Sequence, residues 1–468
     1  MNPVTSRDRE PDTTPDVELP AAAAEAELPG RLPAALRDEL IAFRRDLHMH
    51  PELGNREFRT TAALKARLEQ AGLTPRVLSG GTGLVCDIGV AGPAAGDAGA
   101  DGRDARAAYG DGFPGAATHG DGFPGAATPG VPAPGLAIHR DAGRPFLALR
   151  ADIDALPIPD TKTVAYRSTV PDRAHACGHD VHTTAVLGAG LVLAELAREG
   201  RLPYPVRLIF QPAEEVLPGG APDAIEDGVL DGVGRIIAVH CDPRVDVGRL
   251  GLRVGPITSA CDRLEITLNG AGGHTARPHL TTDLVTAAAK VVTEVPALLG
   301  RRVDTRSGLA LTWGRVASGH ACNVIPQQAE LAGTVRCLDL PGWRAAPDLV
   351  HAAVEEVAAL HRAKFEINYV RGVPPVVNRP EVTELLRRAM VARRGTDSVE
   401  DTEQSLGGED FSWYLEHVPG AMARLGVRRV GDTARRDLHC GDFDVDEEAI
   451  QVGVELFTAA ALLDRNLP

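Results

Sequence analysis

The sequence lacks an apolar run long enough to cross a bilayer, since no uninterrupted stretch approaches the ~18 residues that a span needs. Its first residues, MNPVTSRDREPDTTPDVELP, have neither the basic nor the apolar segment of a signal peptide. We therefore interpret residues 1–30 as a disordered tail. The chain also has fewer positive than negative side chains. It contains 49 Lys and Arg and 64 Asp and Glu, which gives a net charge of -15. This argues against nucleic acid or a membrane as the main partner.

A disulfide framework is missing as well. The chain has 7 cysteines, an odd number without framework spacing, which favours a reducing compartment and predicts a cytoplasmic protein. Aromatic residues make up 4%, but the 44% hydrophobic and 24% charged residues are typical of a globular chain. With 468 residues, the chain is too long for one ordinary core and predicts two domains.

One segment differs from its surroundings in composition. The sequence GDGFPGAAT occurs at 110–118 and again at 120–128, within a Gly-, Ala-, Asp- and Pro-rich stretch over 91–143. Two copies do not make a solenoid, which needs at least three stacked repeats. We interpret 91–143 as a disordered surface insert, with calcium binding by GDG as an alternative that its sparse carboxylates do not favour.

Outside the insert, short apolar runs alternate with helical patterns. The strands FLALRADID (146–154), VRLIFQPAEE (206–215) and RIIAVH (235–240) surround an apolar helix over 182–200. This alternation predicts an α/β fold whose mainly parallel sheet has helices on both faces. We assign 31–255 and 374–468 to this catalytic, metal-binding domain.

Residues 256–373 have a different pattern. Strands and helices follow in the order β-α-β-β-α-β, with a first strand DRLEITLNG and a second helix over 346–363. This order is typical of a ferredoxin-like domain. The sequence predicts that it is inserted into the first domain, where it can act as a lid and form a homodimer.

Metal-ligand side chains follow several of the predicted strands. The stretch HACGHDVH at 175–182 contains three histidines, one cysteine and one aspartate, and similar side chains occur elsewhere at strand ends: Asp152, Asp154, Glu214, Glu215, His240 and His439. Because ligands gather beyond the carboxyl ends of strands in open α/β sheets, we expect these segments to meet at one edge. Sulfur, nitrogen and oxygen donors together are typical of a transition-metal site.

Each of these motifs has a plain structural alternative. A single histidine after a strand is more often structural, a Glu-Glu pair is usually a solvated turn, and Cys177 can be a small buried thiol. Metal-dependent hydrolysis nevertheless requires such a set of side chains. A bound metal lowers the pKa of a water molecule, and a carboxylate that does not bind the metal must accept the proton of that water. Adjacent glutamates can divide these roles, one binding metal and the other remaining free.

At this point the chain resembles a known family, the two-metal amidohydrolase and aminoacylase/carboxypeptidase superfamily, in the branch of hippurate hydrolases and indole-acetyl-amino-acid hydrolases. The motifs that carry the resemblance occur in the order of that branch: RRDLHMHPELGNREFRT, LRADIDALPI, HACGHDVHTTAVLG, IFQPAEE, AVHCDP, GAGGHTARPH, NVIP and GGEDFSWYLEHVPGA. The resemblance extends from about Leu32 to the C-terminus and omits the tail and the insert.

The resemblance implies a role for each matched residue. The implied ligands of two divalent ions (manganese, zinc, cobalt or nickel) are Cys177, His179, Glu215, His240 and His439. Glu214 would be the general base and then the acid. Asp154 would orient a ligand, although Asp152 could instead bind metal. For His175 and His182 we expect hydrogen bonding or a structural role at the helix start.

The predicted second domain would contribute two further residues. By the resemblance, His274 stabilises the oxyanion, often in the partner subunit's site, and Asn323 contacts the substrate carboxylate or carbonyl. The alternative for GAGGH is a Gly-rich turn. The segment DLHCGDF departs from the branch, which usually has LHSPxF, so the loop around His439 is expected to differ in shape.

These observations predict a metal-dependent amidohydrolase that cleaves the amide of N-acyl amino acids or similar small conjugates through a metal-activated water. One alternative is an N-acetyl- or N-succinyl-amino-acid deacylase of diaminopimelate or cysteine metabolism, and another is a dipeptidase. A non-enzyme alternative is a binding protein with a degenerate site. That protein should lack at least one ligand or the base, whereas here every position is filled.

Overall fold

The computed structural model describes residues 28–89, 145–434 and 436–464. The predicted tail up to residue 27 and the repeat insert at 91–143 lie outside this part of the chain. The described residues form two larger sheets and two short ribbons, with helices packed on the sheets.

The first sheet has eight strands in the order β1-β2-β4-β3-β5-β16-β6-β15. Their bounds are β1 (Arg76–Val77), β2 (Leu84–Ile88), β3 (Phe146–Asp152), β4 (Val206–Gln211), β5 (Val233–Asp246), β6 (Leu250–Leu252), β15 (Val399–Asp401) and β16 (Gly420–Arg428). The four central strands β4, β3, β5 and β16 are parallel, while β2 and β6 join them antiparallel. The prediction of a mainly parallel sheet is therefore confirmed for its centre.

Helices cover both faces of this sheet, as predicted. They are α1 (Ala34–Met49), α2 (Phe58–Gln70), α3 (His179–Arg198), α4 (Ala221–Glu226), α7 (Pro380–Arg394), α8 (Phe411–Leu415) and α9 (Glu448–Leu463). Successive strand residues point to opposite faces: Leu147 and Leu149 pack in the core with α3, while Ala148 packs with α4 and α8. Central strands buried on both sides explain the continuous apolar runs in the sequence.

Helix α3 is apolar and long enough to pass for a membrane span by composition, but 83% of its most apolar window is buried inside the fold. It packs against α1, α9 and strand β3. Its apolar character therefore reflects its position as the central core helix.

The second sheet has four antiparallel strands in the order β10-β12-β8-β13. Its elements follow one another as β8 (Ala260–Asn269), α5 (Leu284–Arg302), β10 (Ala310–Ser318), β12 (Gln328–Cys337), α6 (Leu340–Leu360) and β13 (Lys364–Val373). Between them lie a ribbon of β9 (Gly273–His274) and β11 (Val324–Ile325), and 3-10 turns at Pro278–Leu280 and Thr305–Ser307. The predicted β-α-β-β-α-β order is confirmed.

The chain enters and leaves this second sheet through neighbouring segments. Strand β7 (Gly255–Pro256) pairs antiparallel with β14 (Val377–Asn378), and these short strands flank the inserted elements in the sequence. A further 3-10 turn, Thr396–Ser398, precedes β15. We retain the predicted domain bounds, 256–373 within 31–255 and 374–468, as a proposal.

Several predicted element bounds differ from the structure, and two of them differ by six residues. The strand expected to end at His240 continues to Asp246, because β5 pairs with β16 as far as Arg428. The helix predicted from residue 346 begins six residues earlier, at Leu340. There the Asp339 carboxylate accepts a hydrogen bond from the Gly342 N–H at 2.8 Å, a side-chain cap that fixes the true start.

Close packing around α3 gives a first testable prediction. A Cβ added at Gly188 would lie 2.6 Å from Val454 Cγ2 on α9 and 2.7 Å from Leu40 Cδ1 on α1. Gly188→Ala should therefore destabilise the fold by about 1–3 kcal/mol, because a filled core resists an added methyl group. Thermal unfolding of the purified variant measures this effect.

Gly300→Ala is the matched control, because Gly300 is an exposed residue of α5 with no atom within 4 Å of an added Cβ. That variant should be as stable as the parent or slightly more so, since alanine favours a helix by about 0.5–1 kcal/mol. Equal melting temperatures for the two variants would contradict this account of packing at Gly188.

Candidate metal-binding active site

Five segments of the catalytic fold converge at one edge of the large sheet. Asp152 ends β3, Glu214 and Glu215 follow β4, and His240 lies within β5. Cys177 and His179 precede and open α3, and His439 lies in the loop between β16 and α9. In parallel strands these ends share an edge, so segments up to 287 positions apart along the chain, from Asp152 to His439, contribute to the same group of side chains.

The predicted ligand atoms lie close together in this cluster. Cys177 Sγ lies 3.5 Å from His240 Nε2, and His439 Nε2 lies 3.3 Å from Glu215 Oε1. His179 Nε2 is 3.9 Å from both Glu214 Oε2 and Glu215 Oε1. Three overlapping groups of candidate ligand atoms, each within 4.8 Å, contain all five predicted ligands and the predicted base.

Hydrogen bonds fix which nitrogen of two histidines faces the cluster. His240 Nδ1 lies 2.8 Å from the Cys241 carbonyl oxygen, to which it donates. His179 Nδ1 donates to Asp154 Oδ1 at 3.2 Å, so in both rings Nε2 is left to accept a metal. Asp154 Oδ2 also accepts from the Glu215 backbone N–H at 3.0 Å, which links the turn after β4 to His179.

The other two histidines of the HACGHDVH stretch have different environments. His182 Nδ1 donates to Asp152 Oδ1 at 2.7 Å, and His182 Nε2 accepts from the Cys241 N–H at 2.8 Å. The expected hydrogen bonding is thus found for His182. The two ring nitrogens of His175 are buried without a hydrogen-bond partner in the described part of the chain, so for this residue the structural role at the helix start stays the prediction. Burial lowers the pKa of His175 to about 3 and keeps its ring neutral.

Arg150 holds together the carboxylates behind the cluster. Its guanidinium lies 2.7 Å from Asp152 Oδ2, 3.2 Å from Glu409 Oε1 and 2.7 Å from Asp410 Oδ1, and it donates to Gln211 at 2.9 Å. Because Arg150 is completely buried, these contacts are not screened by water. Glu214, Glu409 and Asp410 in turn have carboxylate oxygens within 4.8 Å of one another.

This crowding perturbs the acids of the cluster. Burial raises the pKa of Glu214 well above its usual range, and the neighbouring Glu409 and Glu215 carboxylates raise it further. Burial also raises the pKa of the Cys177 thiol, with Glu215 and Glu214 adding to the effect. For His179, burial lowers the pKa but Asp152 and Asp154 outweigh it, and the result is about 10. Strongly shifted pKa values of this kind are typical of functional sites.

The donor set fits divalent metal ions. His179 Nε2 is buried and makes no hydrogen bond, although the Asp152, Glu214 and Glu215 carboxylates lie within 3.7–3.9 Å. A cation placed among these acids would offset their mutual repulsion. One thiol, three imidazoles and a carboxylate are borderline ligands that suit zinc, manganese, cobalt or nickel.

His274 and Asn323 lie together but apart from this cluster. His274 is in β9, which pairs with Val324 of β11, and the Asn323 carbonyl accepts from Thr275 N–H at 3.3 Å. Both side chains are exposed, and neither residue lines the cavity beside the cluster, which measures about 270 Å³. His274 Nδ1 accepts a hydrogen bond from the Ala276 backbone N–H at 3.0 Å, as expected of a turn.

Several residues at the site were missed by the sequence-based argument. Glu409 and Arg424 line the cavity, and Glu57 accepts from the Ala213 N–H at 2.8 Å, which supports the turn that carries Glu214. Burial raises the pKa of Glu57 to about 7. Glu409 lies in the quoted GGEDF motif and Glu57 in the quoted motif RRDLHMHPELGNREFRT, which are usable signals, whereas Arg424 lies in no quoted motif.

Comparison with known proteins agrees with this site. The model of "Peptidase family M20/M25/M40" matches residues 148–463. An N-acetyl-L-cysteine deacetylase of Bacillus subtilis is 34% identical over 435 residues, 92% of this chain and 90% of that protein. A Rhodococcus jostii protein provisionally named glutamate–cysteine ligase 2-3 is 43% identical over 91% of this chain, but the chain spans 47% of its length.

Solved structures give the same result. The crystal structure of the YXEP protein of Bacillus subtilis, described as a dinuclear metal-binding peptidase of the M20 family, superposes with a TM-score of 0.70. It shares 30% identity and covers 92% of this chain and 99% of its own. The prediction of a metal-dependent hydrolase of amide bonds is confirmed, and the chain belongs to the peptidase family M20/M25/M40.

Proposed function

We propose that the chain hydrolyses the amide bond of N-acyl amino acids or similar small conjugates. The observation that carries this proposal is the convergence of thiol, imidazole and carboxylate donors around the half-buried Glu214. The Bacillus subtilis relative named an N-acetyl-L-cysteine deacetylase supports the same substrate class. It equally supports the narrower alternative, a deacetylase of cysteine conjugates, while a dipeptidase or an N-succinyl deacylase remains the next candidate.

In this proposal two divalent ions are held by Cys177, His179, Glu215, His240 and His439. The relative described as dinuclear supports two ions, and the overlapping groups of donor atoms support their positions. Asp154 would act through His179 and Glu215 by orienting both. Asp152 is already bonded to His182 and Arg150, which favours Asp154 over Asp152 for direct influence on the ligands.

Glu214 would perform the proton transfers. Bound ions supply Lewis-acid polarisation of the carbonyl and acidify a water molecule. The Glu214 carboxylate takes a proton from the attacking water and delivers it to the amide nitrogen, which then leaves as an amine. The pKa of Glu214, raised by burial and by the nearby carboxylates, favours a group that can both accept and donate. His274 would stabilise the oxyanion, and Asn323 would contact the substrate.

The cavity beside the cluster supports a small substrate. Its volume of about 270 Å³ is near the lower end of typical ligand pockets, and Leu217, Val373 and Leu438 form apolar parts of its wall. A small acyl amino acid fits such a space better than a folded polypeptide.

The absence of a disulfide framework in the sequence supports the proposal of a cytoplasmic location.

We also propose a homodimer formed through the second sheet. His274 and Asn323 are exposed away from the cavity, which is expected if they serve a partner's site. Large apolar side chains are exposed in the same part of the chain: Leu280, Val285, Val316 and Val324. Strand β10 is an edge strand of the sheet and can pair with or pack against a second copy.

The substrate proposal predicts a specific order of activities. With manganese, cobalt, zinc or nickel added, the chain should hydrolyse N-acetyl, N-benzoyl or indole-acetyl amino acids with a higher kcat/KM than dipeptides or N-succinyl amino acids. Release of the free amino acid measures each rate. A preference for dipeptides would favour the peptidase alternative, and no turnover of acyl amino acids with any of these metals would overturn the proposal.

The adjacent glutamates should separate chemistry from metal binding. Glu214→Gln should keep its metal content but lose about 10²–10⁴ in kcat, because proton transfer by a side chain contributes that much. Glu215→Gln should lose metal as well as activity, since it removes a charged ligand. Elemental analysis and kinetics on the same samples measure both quantities.

Glu226→Gln is the matched control, because Glu226 is exposed at the end of α4 and outside the cluster. It should retain both metal and turnover. A fully active Glu214→Gln protein would contradict the assigned base, and full metal retention by Glu215→Gln would contradict the assigned ligand.

Shared sites in a dimer predict complementation between inactive variants. Glu214→Gln and His274→Ala subunits should each be inactive alone, yet a mixed dimer would contain one site with both residues. After subunit exchange, an equal mixture should recover about a quarter of the parental rate, since half of the dimers are mixed and each has one intact site. Light scattering at micromolar concentration checks the dimer. No recovery from mixtures shown to contain mixed dimers would place His274 outside the partner's site.

A further inference from the structure

Arg424 lies in strand β16 of the large sheet, beside the cluster of predicted metal ligands. In the parallel register of β16 with β5, Arg424 is paired with His240. Residues paired across neighbouring strands point to the same face, so the guanidinium and the His240 imidazole project to the same side. Arg424 also lines the cavity that Glu214 and His439 line.

Among the residues that the structure describes, this buried arginine has no hydrogen-bond or ion-pair partner. Its relative exposure is 5%, and its Nε is buried with no hydrogen-bond acceptor. Across the part of the chain that the structure describes, no carboxylate lies within ion-pair distance of it. The other buried arginines differ: Arg44 contacts Asp180 at 2.6 Å, and Arg150 contacts three carboxylates.

The nearest acids are already engaged by other arginines. Both oxygens of the Asp242 carboxylate accept hydrogen bonds from Arg244, at 3.0 and 2.8 Å. Glu409 contacts Arg150 at 3.2 Å. Burial lowers the pKa of Arg424, but a guanidinium stays protonated in proteins. A desolvated cation without a counter-ion is unfavourable for the free protein and favourable for binding an anion.

The residues around Arg424 leave space for its side chain, and those that line the cavity include no other Lys or Arg. Opposite Arg424 on β6 stands Gly251, where an added Cβ would come within 3.2 Å of the arginine Cβ. Among the residues that line the cavity, Arg424 is the sole Lys or Arg, while Glu214, Glu215, Glu409 and Asp410 supply negative charge. An anionic substrate would therefore find one oriented, fork-shaped donor next to the metal cluster.

We propose that Arg424 is a specificity-determining residue that binds a carboxylate of the substrate while the scissile amide lies at the metal cluster. This inference rests on the proposed function and narrows its substrates to anionic amides. The carboxylate can belong to the amino acid that leaves or to a dicarboxylic acyl group. Neutral amides of the same size would leave the buried guanidinium unpaired and should be poor substrates.

Paired substrates test the proposal on the metal-loaded chain. N-acetyl-methionine against its α-amide tests a carboxylate on the amino acid, and N-succinyl-propylamine against N-butyryl-propylamine tests one on the acyl group. In one pair the parent should prefer the charged member by about a hundredfold in kcat/KM, which is ~2.8 kcal/mol at 1.4 kcal/mol per factor of ten. Arg424→Met should reduce that ratio to near one, and Arg424→Lys should keep part of it.

Arg428→Met is the matched control, because Arg428 is on the same strand, pairs with Asp246 at 2.7 Å and does not line this cavity. It should keep the full parental ratio. Thermal unfolding checks that Arg424→Met folds, which we expect because replacing an unpaired buried charge by an apolar side chain of similar length is not costly. The pair whose ratio collapses identifies the part of the substrate that carries the carboxylate.

Equilibrium binding separates this inference from the proposed function. Calorimetry with metal-loaded Glu214→Gln protein should give tighter binding of N-acetyl-methionine or N-succinyl-propylamine than of the neutral partner, and the added Arg424→Met change should abolish the difference. Equal binding or turnover of charged and neutral members by the parent, or an unchanged ratio in Arg424→Met, would overturn the inference. If the parent hydrolyses none of these amides but keeps the Arg424-dependent binding, the proposed function fails while the inference stands.

Discussion

The charge balance around Arg150 is the constraint on which the rest of the site depends. Asp152, Glu409 and Asp410 are buried at the carboxyl edge of the sheet, where like charges repel strongly because water does not screen them. A single guanidinium in β3 contacts all three. The Arg150 guanidinium offsets this repulsion, so that several carboxylates can pack behind Glu214 in the folded protein. The carboxylates that Arg150 does not contact lie next to the predicted metal ligands.

Most of the candidate site could be predicted from the sequence because its parts are tied to strand ends. Polar residues that directly follow apolar runs, such as Glu214 after β4, must lie at the edge of a parallel sheet. His240 was predicted at the end of a strand, but it lies inside β5. Its side chain reaches the site from one face of the sheet. Its side chain shares a face with Ile236 and Ala238, which alternation along the strand requires.

What the sequence could not provide was register. Arg424 sits in an apolar strand, and only its pairing with His240 brings it to the cavity. Glu57 precedes α2 and contacts a backbone N–H 156 residues later. The short strands β1, β6 and β15, two or three residues long, lie below the length at which alternation is readable. For α6, the cap by Asp339 places the start of the helix six residues before the predicted bound.

The pairing of β7 with β14 has a consequence for how the whole molecule is assembled. Since entry and exit of the second sheet are hydrogen-bonded neighbours, the chain connects the large sheet to the inserted elements through one closed base. Side-chain contacts of Arg344 with Glu416 and of Trp343 with Trp413 add to this connection. Insertions, deletions or substitutions in the elements between β7 and β14 need not displace the strands that carry His240 or Asp152. Inserted elements away from these contacts and from His274 and Asn323 can therefore diverge without altering the strands of the inner site.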